Sequence, residues 1–155
     1  MTRQNLFSDA WDGDEEDGTH YRIFWRPDGA RMGATLYELP PGAAAQRLHM
    51  HFGAEEMFFV LSGRPLLQKR DGEEELAPGD FVFWPEGRAG LHAFFNRTEE
   101  PARLLAMSAG SFPDVVAYPE QGYAWVATRN PDPERGGAAR GGDPGIIARF
   151  EIPIE

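Results

Sequence analysis

Short apolar segments separated by turn signals run through the middle of the chain. The segments are rich in aromatic and aliphatic residues and cover 21–25, 34–39, 57–61, 65–68, 80–84, 91–95 and 102–107. Between them lie turn-forming sequences such as "RPDGA", "LPPGA" and "KRDGEEE". Short β-prone segments at this spacing predict an all-β fold, a sandwich or a barrel.

Helical periodicity is not sustained over three turns in any segment of the sequence. The stretch "ELPPGAAAQRLHM" contains an alanine run, but Pro40, Pro41 and Gly42 precede it, so entry into a strand is predicted there. Asp71 and Gly72 are typical of a hairpin turn, since both tolerate positive φ.

The two ends of the chain differ in composition from the middle. Residues 12–17, "DGDEED", predict a solvated loop, and residues 129–145, dense in Gly, Pro and Arg, predict a long mobile loop. The segment 146–154, "IIARFEIPI", fits either a final strand or an arm that packs on a partner subunit. We therefore expect an N-terminal arm at 1–20, a β-barrel at 21–128, and a flexible loop with a C-terminal strand at 129–155.

Composition narrows the class of protein. A chain of 155 residues is one domain by size, and its net charge of −10 argues against a nucleic-acid partner. It has no cysteine, so neither a disulfide nor a thiolate ligand is available. No apolar run is long enough to span a membrane, and the acidic N-terminus lacks the apolar stretch of a secretory signal. We expect a cytoplasmic protein.

Histidines and a carboxylate gather in two places. His49 and His51 are two residues apart, so in a strand their imidazoles point to the same face. Glu56 follows closely, and His92 lies in a later apolar strand. Imidazole and carboxylate donors suit a divalent metal such as Fe²⁺, Mn²⁺, Ni²⁺ or Zn²⁺. These two places hold three of the four histidines, which favours one metal site over scattered surface or core histidines.

Two motifs around these residues resemble those of the cupin superfamily, in particular its small single-domain microbial members. The first is formed by Gly42, His49, His51, Glu56 and Gly63, and the second by Gly79, Pro85, Gly87, His92 and Asn96. The count back from Gly63 selects Glu56 rather than Glu55 as the family's ligand position. The chain departs from the family pattern by one extra residue after Gly42 and by two extra residues between Gly87 and His92.

The resemblance implies a double-stranded β-helix, a small jelly-roll barrel, in which His49, His51, Glu56 and His92 hold one divalent metal ion. It also implies a homodimer in contact through edge strands or exchanged termini. Fold alone does not give the reaction. We expect a metal-dependent enzyme of the oxygenase, isomerase or decarboxylase class acting on a small organic molecule. The alternative is a non-catalytic cupin that binds a small molecule.

Candidate substrate contacts are few. Arg47 lies two residues before His49, so strand alternation points it toward the same interior, where it would bind an anionic group; a salt bridge at the rim is the alternative. Phe58 and Phe94 are candidates for an apolar pocket lining, with core filling as the competing role.

Overall fold

Antiparallel strands form almost all of the regular structure. The computed structural model describes residues 3–24, 27, 30–110, 112–128 and 145–154. The strands of these ranges are β1 (Gly13–Asp14), β2 (His20–Ile23), β3 (Met32–Leu39), β4 (Ala44–His51), β5 (Ala54–Ser62), β6 (Leu66–Lys69), β7 (Gly72–Glu75), β8 (Phe81–Trp84), β9 (His92–Phe95), β10 (Ala102–Gly110), β11 (Asp114–Tyr118), β12 (Tyr123–Thr128) and β13 (Gly145–Glu151). Two short 3₁₀ helices lie at Gly87–Gly90 and Pro119–Gln121. Within the described residues, no helix is long and apolar enough to cross a bilayer.

The strands form two sheets that enclose the hydrophobic core. One sheet has the order β1-β2-β3-β10-β5-β8 and the other has the order β13-β12-β11-β4-β9-β6-β7. Fully buried side chains from both sheets, among them Val60, Leu67, Phe94 and Leu104, meet between them. This arrangement confirms the predicted all-β jelly-roll barrel.

All seven segments that were predicted as strands coincide with strands of the structure: β2, β3, β5, β6, β8, β9 and β10. The strand entry expected after Pro40, Pro41 and Gly42 is also present, as β4. β11 and β12 were not predicted, and they extend the second sheet beyond β4.

The predicted mobile loop lies largely at 129–144, outside the described residues. After it, β13 pairs antiparallel with β12, so the segment that begins near Ile146 is a final strand in this structure. Near the other end, β1 lies in the segment 1–20 that was expected to be an N-terminal arm, and it pairs with β2 at the start of the expected barrel.

Two glycines, the motif residue Gly63 and Gly90 in the loop before β9, stand where a side chain does not fit. Gly63 follows the last residue of β5 with φ of 77°, and a Cβ added there would lie 2.6 Å from Ala102 Cα. A Cβ on Gly90 would lie 1.9 Å from the carbonyl oxygen of Pro85. Only glycine permits these close approaches of backbone to backbone.

β4 contains an irregularity just before the histidines. Its pairing with β9 shifts register between Ala45 and His49, and Gln46 adopts a left-handed φ of 63°. Such a bulge accommodates additional residues in one strand and redirects its side chains. The extra residue counted after Gly42 falls in this part of the chain.

Candidate metal centre

Three strands bring the four predicted ligands together inside the barrel. His49 of β4 stands opposite His92 of β9, and His51 follows on the same face of β4. Glu56 reaches them from β5. Its Oε2 atom lies 3.3 Å from His92 Nε2, 3.5 Å from His51 Nε2 and 4.0 Å from His49 Nε2. Glu55, the neighbouring carboxylate, is exposed on the other face of β5.

The tightest group consists of His49, His51 and Glu56, whose ligand atoms all lie within 4.8 Å of one another. His92 is outside that group but contacts the same Glu56 oxygen. The 3₁₀ helix Gly87–Gly90 precedes β9 and contains the residues by which this loop exceeds the family pattern. The longer loop therefore does not carry His92 away from the cluster.

Hydrogen bonds fix the orientation of all three imidazoles. His49 Nδ1 lies 2.8 Å from the carbonyl oxygen of Arg47, and His92 Nδ1 lies 2.8 Å from that of Gly90. His51 Nδ1 lies 2.6 Å from Asp114 Oδ2. Because carbonyl and carboxylate oxygens only accept, Nδ1 is the donor in each ring. In the neutral rings, all three Nε2 lone pairs then face Glu56.

This convergence of acceptors fits a cation. Glu56 Oε2 and His92 Nε2 are buried without a hydrogen-bond partner among the described residues. Buried acceptors that face one another are costly unless a cation or a proton lies between them. Two imidazoles and a carboxylate, with a third imidazole beside them, are a common donor set for a divalent metal. The cluster could therefore bind such an ion.

The surroundings shift the acidity of these groups in different directions. Burial alone would raise the pKa of Glu56, but its contacts with His92 and His51 outweigh burial and lower the pKa to about 2. Burial, together with the neighbouring His92, lowers the pKa of His49 to about 3. Burial also opposes the charged form of His51, yet the hydrogen bond to Asp114 and the charge of Glu56 raise the pKa of His51 above 6.5.

Aromatic rings pack against the cluster. The Trp84 indole stacks on His92 with ring centroids 4.9 Å apart and an interplanar angle of 6°. Tyr118 stacks on His49 at 5.7 Å, and Tyr123 stacks on Tyr118 at 4.9 Å. Packing of this kind restricts the rotamers of the histidines and so helps to preorganise the cluster.

Asp114 is a residue of the site that the sequence did not reveal. It is 6% exposed at the start of β11, and its two oxygens bind His51 and the backbone N–H of Gly53. Its sequence surroundings contain no motif, and 63 residues separate it from His51. The only signal available was a lone aspartate before an apolar run.

A cavity of about 520 Å³ leads to the cluster. His51 and Glu56 line it, while His49 and His92 lie deeper and are nearly fully buried. Its wall includes Arg31, Arg47, Tyr118, Tyr123 and Trp125. The cavity therefore combines cationic and aromatic groups beside the carboxylate and imidazole donors.

The predicted substrate contacts have separate outcomes. Arg47 is exposed at the bulge of β4 and lines the cavity, so a contact with ligand stays a prediction compatible with its position. Phe58 and Phe94 lie in the core, where their rings are 4.5 Å apart, and neither lines this cavity. They fill the core below His92, which was the competing role considered for them.

The profile of the Cupin domain family matches residues 35–108, which include the whole cluster of His49, His51, Glu56 and His92. A crystal structure of a proposed sugar phosphate isomerase from Acidithiobacillus ferrooxidans is 31% identical, with a TM-score of 0.62. The alignment covers 69% of this chain and 70% of that one. The chain belongs to the cupin family.

Other solved structures are similar at lower identity or coverage. A sugar phosphate isomerase of the cupin superfamily from Silicibacter pomeroyi is 24% identical, with a TM-score of 0.69. The alignment covers 90% of this chain and 82% of that one. The polyketide cyclase RemF from Streptomyces resistomycificus is 29% identical, with a TM-score of 0.52. The alignment covers 59% of this chain and 64% of RemF. No curated protein matches this cupin significantly.

Proposed function

We propose that this cupin is a metal-dependent enzyme that isomerises a small phosphorylated sugar. The observation that carries the proposal is the convergence of His49, His51 and Glu56 at one end of a cavity that also holds two arginines. A divalent ion bound there would supply Lewis-acid chemistry, the polarisation of a substrate carbonyl or hydroxyl oxygen. Fe²⁺, Mn²⁺, Ni²⁺ and Zn²⁺ all suit the donor set.

The arginines support an anionic substrate. Arg31 and Arg47 line the same cavity as Glu56, and a guanidinium binds phosphate through paired hydrogen bonds. Glu15, Glu56 and Asp114 line the same cavity, so the two arginines together with the bound cation would balance these carboxylates and attract a phosphate group. Their part is to bind and orient the substrate, with its reactive carbon toward His51 and Glu56.

The isomerase class is preferred to an oxygenase or a decarboxylase because of the relative from Acidithiobacillus ferrooxidans. That protein is 31% identical, and its proposed activity is sugar phosphate isomerisation. A phosphorylated sugar also matches the chemistry of the cavity, since its phosphate would face arginine and its hydroxyls would face the polar cluster.

Binding without catalysis is the second candidate, and two tyrosines favour it. Burial and the charge of Glu56 raise the pKa of Tyr37 to about 12, and burial also raises the pKa of Tyr118. Neither hydroxyl can therefore act as a base near neutral pH. A cupin that binds a phosphorylated small molecule needs the arginines and the metal, but no base.

Isomerisation in D₂O tests the proposal. Metal-free protein is loaded separately with Fe²⁺, Mn²⁺, Ni²⁺ or Zn²⁺ and incubated with aldose and ketose phosphates, and NMR follows interconversion and deuterium incorporation. We expect metal-dependent turnover that Glu56→Gln abolishes and the matched variant Glu55→Gln preserves. Tight binding of the phosphates without turnover under every metal would support the second candidate instead.

A further inference from the structure

We infer that Asp114 is a positioning residue that sets the tautomer of His51, so that the Nε2 lone pair of this ring faces the metal position. The inference rests on the proposed metal centre and not on the isomerase reaction. Asp114 lies outside residues 35–108, the part of the chain that the cupin profile matches. Its contact with the cluster depends on the pairing of β11 with β4, in which Val116 stands opposite His51.

The geometry assigns the proton on His51. Asp114 Oδ2 lies 2.6 Å from His51 Nδ1, and an ionised carboxylate can only accept a hydrogen bond. His51 Nδ1 therefore carries the hydrogen, and Nε2 of the neutral ring presents a lone pair toward Glu56, 3.5 Å away. An imidazole binds a metal only through a nitrogen that carries no proton.

His51 differs from the other two histidines in the group that accepts its Nδ1 hydrogen bond and so sets its tautomer. His49 and His92 donate to the backbone carbonyls of Arg47 and Gly90, which no side-chain substitution removes. The Nδ1 hydrogen bond of His51 is made to the Asp114 side chain, so a substitution of Asp114 can exchange the donor and the acceptor of this bond. His51 also lines the cavity, so its tautomer affects the accessible side of the cluster.

The backbone N–H of Gly53 makes the carboxylate hard to replace, even by an amide of the same shape. This N–H donates to Asp114 Oδ1 at 2.8 Å. In Asp114→Asn, the amide oxygen must stay toward Gly53, because the NH₂ group would otherwise face another donor. The NH₂ group then faces His51 Nδ1, which has to accept, and the ring proton moves to Nε2. That N–H would point at Glu56 and block the metal position.

The direct test is the tautomer of His51 in the metal-free protein. Two-dimensional ¹H–¹⁵N spectra of the imidazoles are recorded at an alkaline pH where the His51 signals no longer change with pH, so that this ring is neutral. We expect Nδ1–H in the wild type and Nε2–H in Asp114→Asn. Asp80→Asn is the matched control, since Asp80 also accepts a backbone N–H, from Ala77, but is exposed and has no recorded contact with a histidine.

Metal affinity is the second readout. A competition titration with Zn²⁺ and a chelating indicator should show Asp114→Asn weakened by about 10- to 100-fold, the usual effect of losing an outer partner of a ligand. Asp114→Asn should bind at least as weakly as Asp114→Ala, although it is the gentler change in shape. A role in packing alone predicts the reverse order, and that order would overturn the inference.

Each further outcome decides the inference without reference to turnover. Nε2–H in the wild type overturns it, even if Asp114→Asn fails to fold. An unchanged Nδ1–H tautomer in a folded Asp114→Asn overturns it as well. If the expected tautomers are found and no sugar phosphate is converted, the positioning role stands and the isomerase proposal fails.

Discussion

Single donors decide whether the cluster binds metal. Replacing His49, His51 or Glu56 by Ala removes one member of the tightest group, so metal affinity should fall by more than the roughly 10- to 100-fold typical of outer partners. His92→Ala should cause a smaller loss, because His92 is outside that group. Elemental analysis of metal per chain in purified protein measures the effect, and circular dichroism should show that the barrel persists.

Glu55→Ala is the control for this series. Glu55 is exposed on the face of β5 opposite to Glu56, and its loss should leave metal content unchanged. If Glu55→Ala empties the site while Glu56→Ala does not, the assignment of the carboxylate is wrong by one residue. If no variant alters metal content, the cluster does not hold a metal.

The acidity of His51 predicts how metal binding responds to pH. The folded, metal-free protein holds a proton on His51 at higher pH than 6.5, because the pKa of this ring is raised. That proton competes with metal, so apparent affinity should fall as pH decreases through the raised value, with release beginning above 6.5. Glu56, with its pKa at about 2, stays ionised throughout this range.

Chelator competition at a series of pH values measures this dependence. We expect log Kd for Zn²⁺ to rise by about one unit for each unit of pH below the His51 transition if His51 supplies the one competing proton, as linkage requires. Affinity that stays constant down to about pH 5 would contradict the role of His51, since its ordinary pKa is already near 6.5.

At the scale of elements, the bulge in β4 predicts an unusual response to glycine. Gln46 has φ of 63°, a conformation that costs a non-glycine residue about 1 kcal/mol or more. Gln46→Gly should therefore leave stability nearly unchanged, while Gln46→Val should destabilise by about 1–2 kcal/mol because a β-branched residue resists this conformation.

Gln68 in the regular strand β6 is the matched control for the bulge. There the order should reverse: Gln68→Val is tolerated, and Gln68→Gly destabilises by about 1 kcal/mol. Thermal unfolding of the four variants measures both pairs as shifts of a few degrees in Tm. The same order of Gly and Val at both positions would show that Gln46 is not strained.

An element could be predicted where the residues that define it are close together in the sequence, and could not where its partners are far apart along the chain. The strands at 57–61 and 91–95 were visible because apolar runs and turn residues are local signals, and Glu56 was selected by its distance from Gly63. β11 and β12 are apolar as well, and Pro113, Pro119 and Gly122 lie at their ends, so their existence had a local signal that was not used, whereas their places in the sheet depend on pairing with β4 and β13. Asp114 could not be predicted as a site residue for the same reason, since its partner His51 is 63 residues away.

At the scale of the whole molecule, one face of the barrel is unusually apolar for a surface. Phe81 and Phe83 on β8 are 50% and 49% exposed, and Phe59 on the neighbouring β5 is 37% exposed. β8 also ends its sheet, with a neighbour on one side only among the described strands. Edge strands and exposed aromatic clusters are typical of surfaces that contact another protein.

A homodimer through this face is the last prediction. The sequence placed the dimer contact at the N-terminal strands or at 146–154, but in this structure β2 pairs with β3 and β13 pairs with β12 inside the chain. We propose the face of Phe59, Phe81 and Phe83 as the contact instead, because a second copy would cover its aromatic side chains. Phe81→Glu and Phe83→Glu should then convert the dimer to monomer, since a charge buried in an apolar contact is costly.

Sedimentation velocity measures the assembly at a protein concentration of tens of micromolar, which is about ten times the Kd of a dimer with micromolar affinity. Ile154→Glu is the discriminating control, because Ile154 is 74% exposed in 146–154, one of the two segments that the sequence offered for the contact. Dissociation by Ile154→Glu with no effect of Phe81→Glu would return the contact to the C-terminal segment. A wild-type monomer at this concentration would contradict both locations, and the aromatic face would then require a different partner.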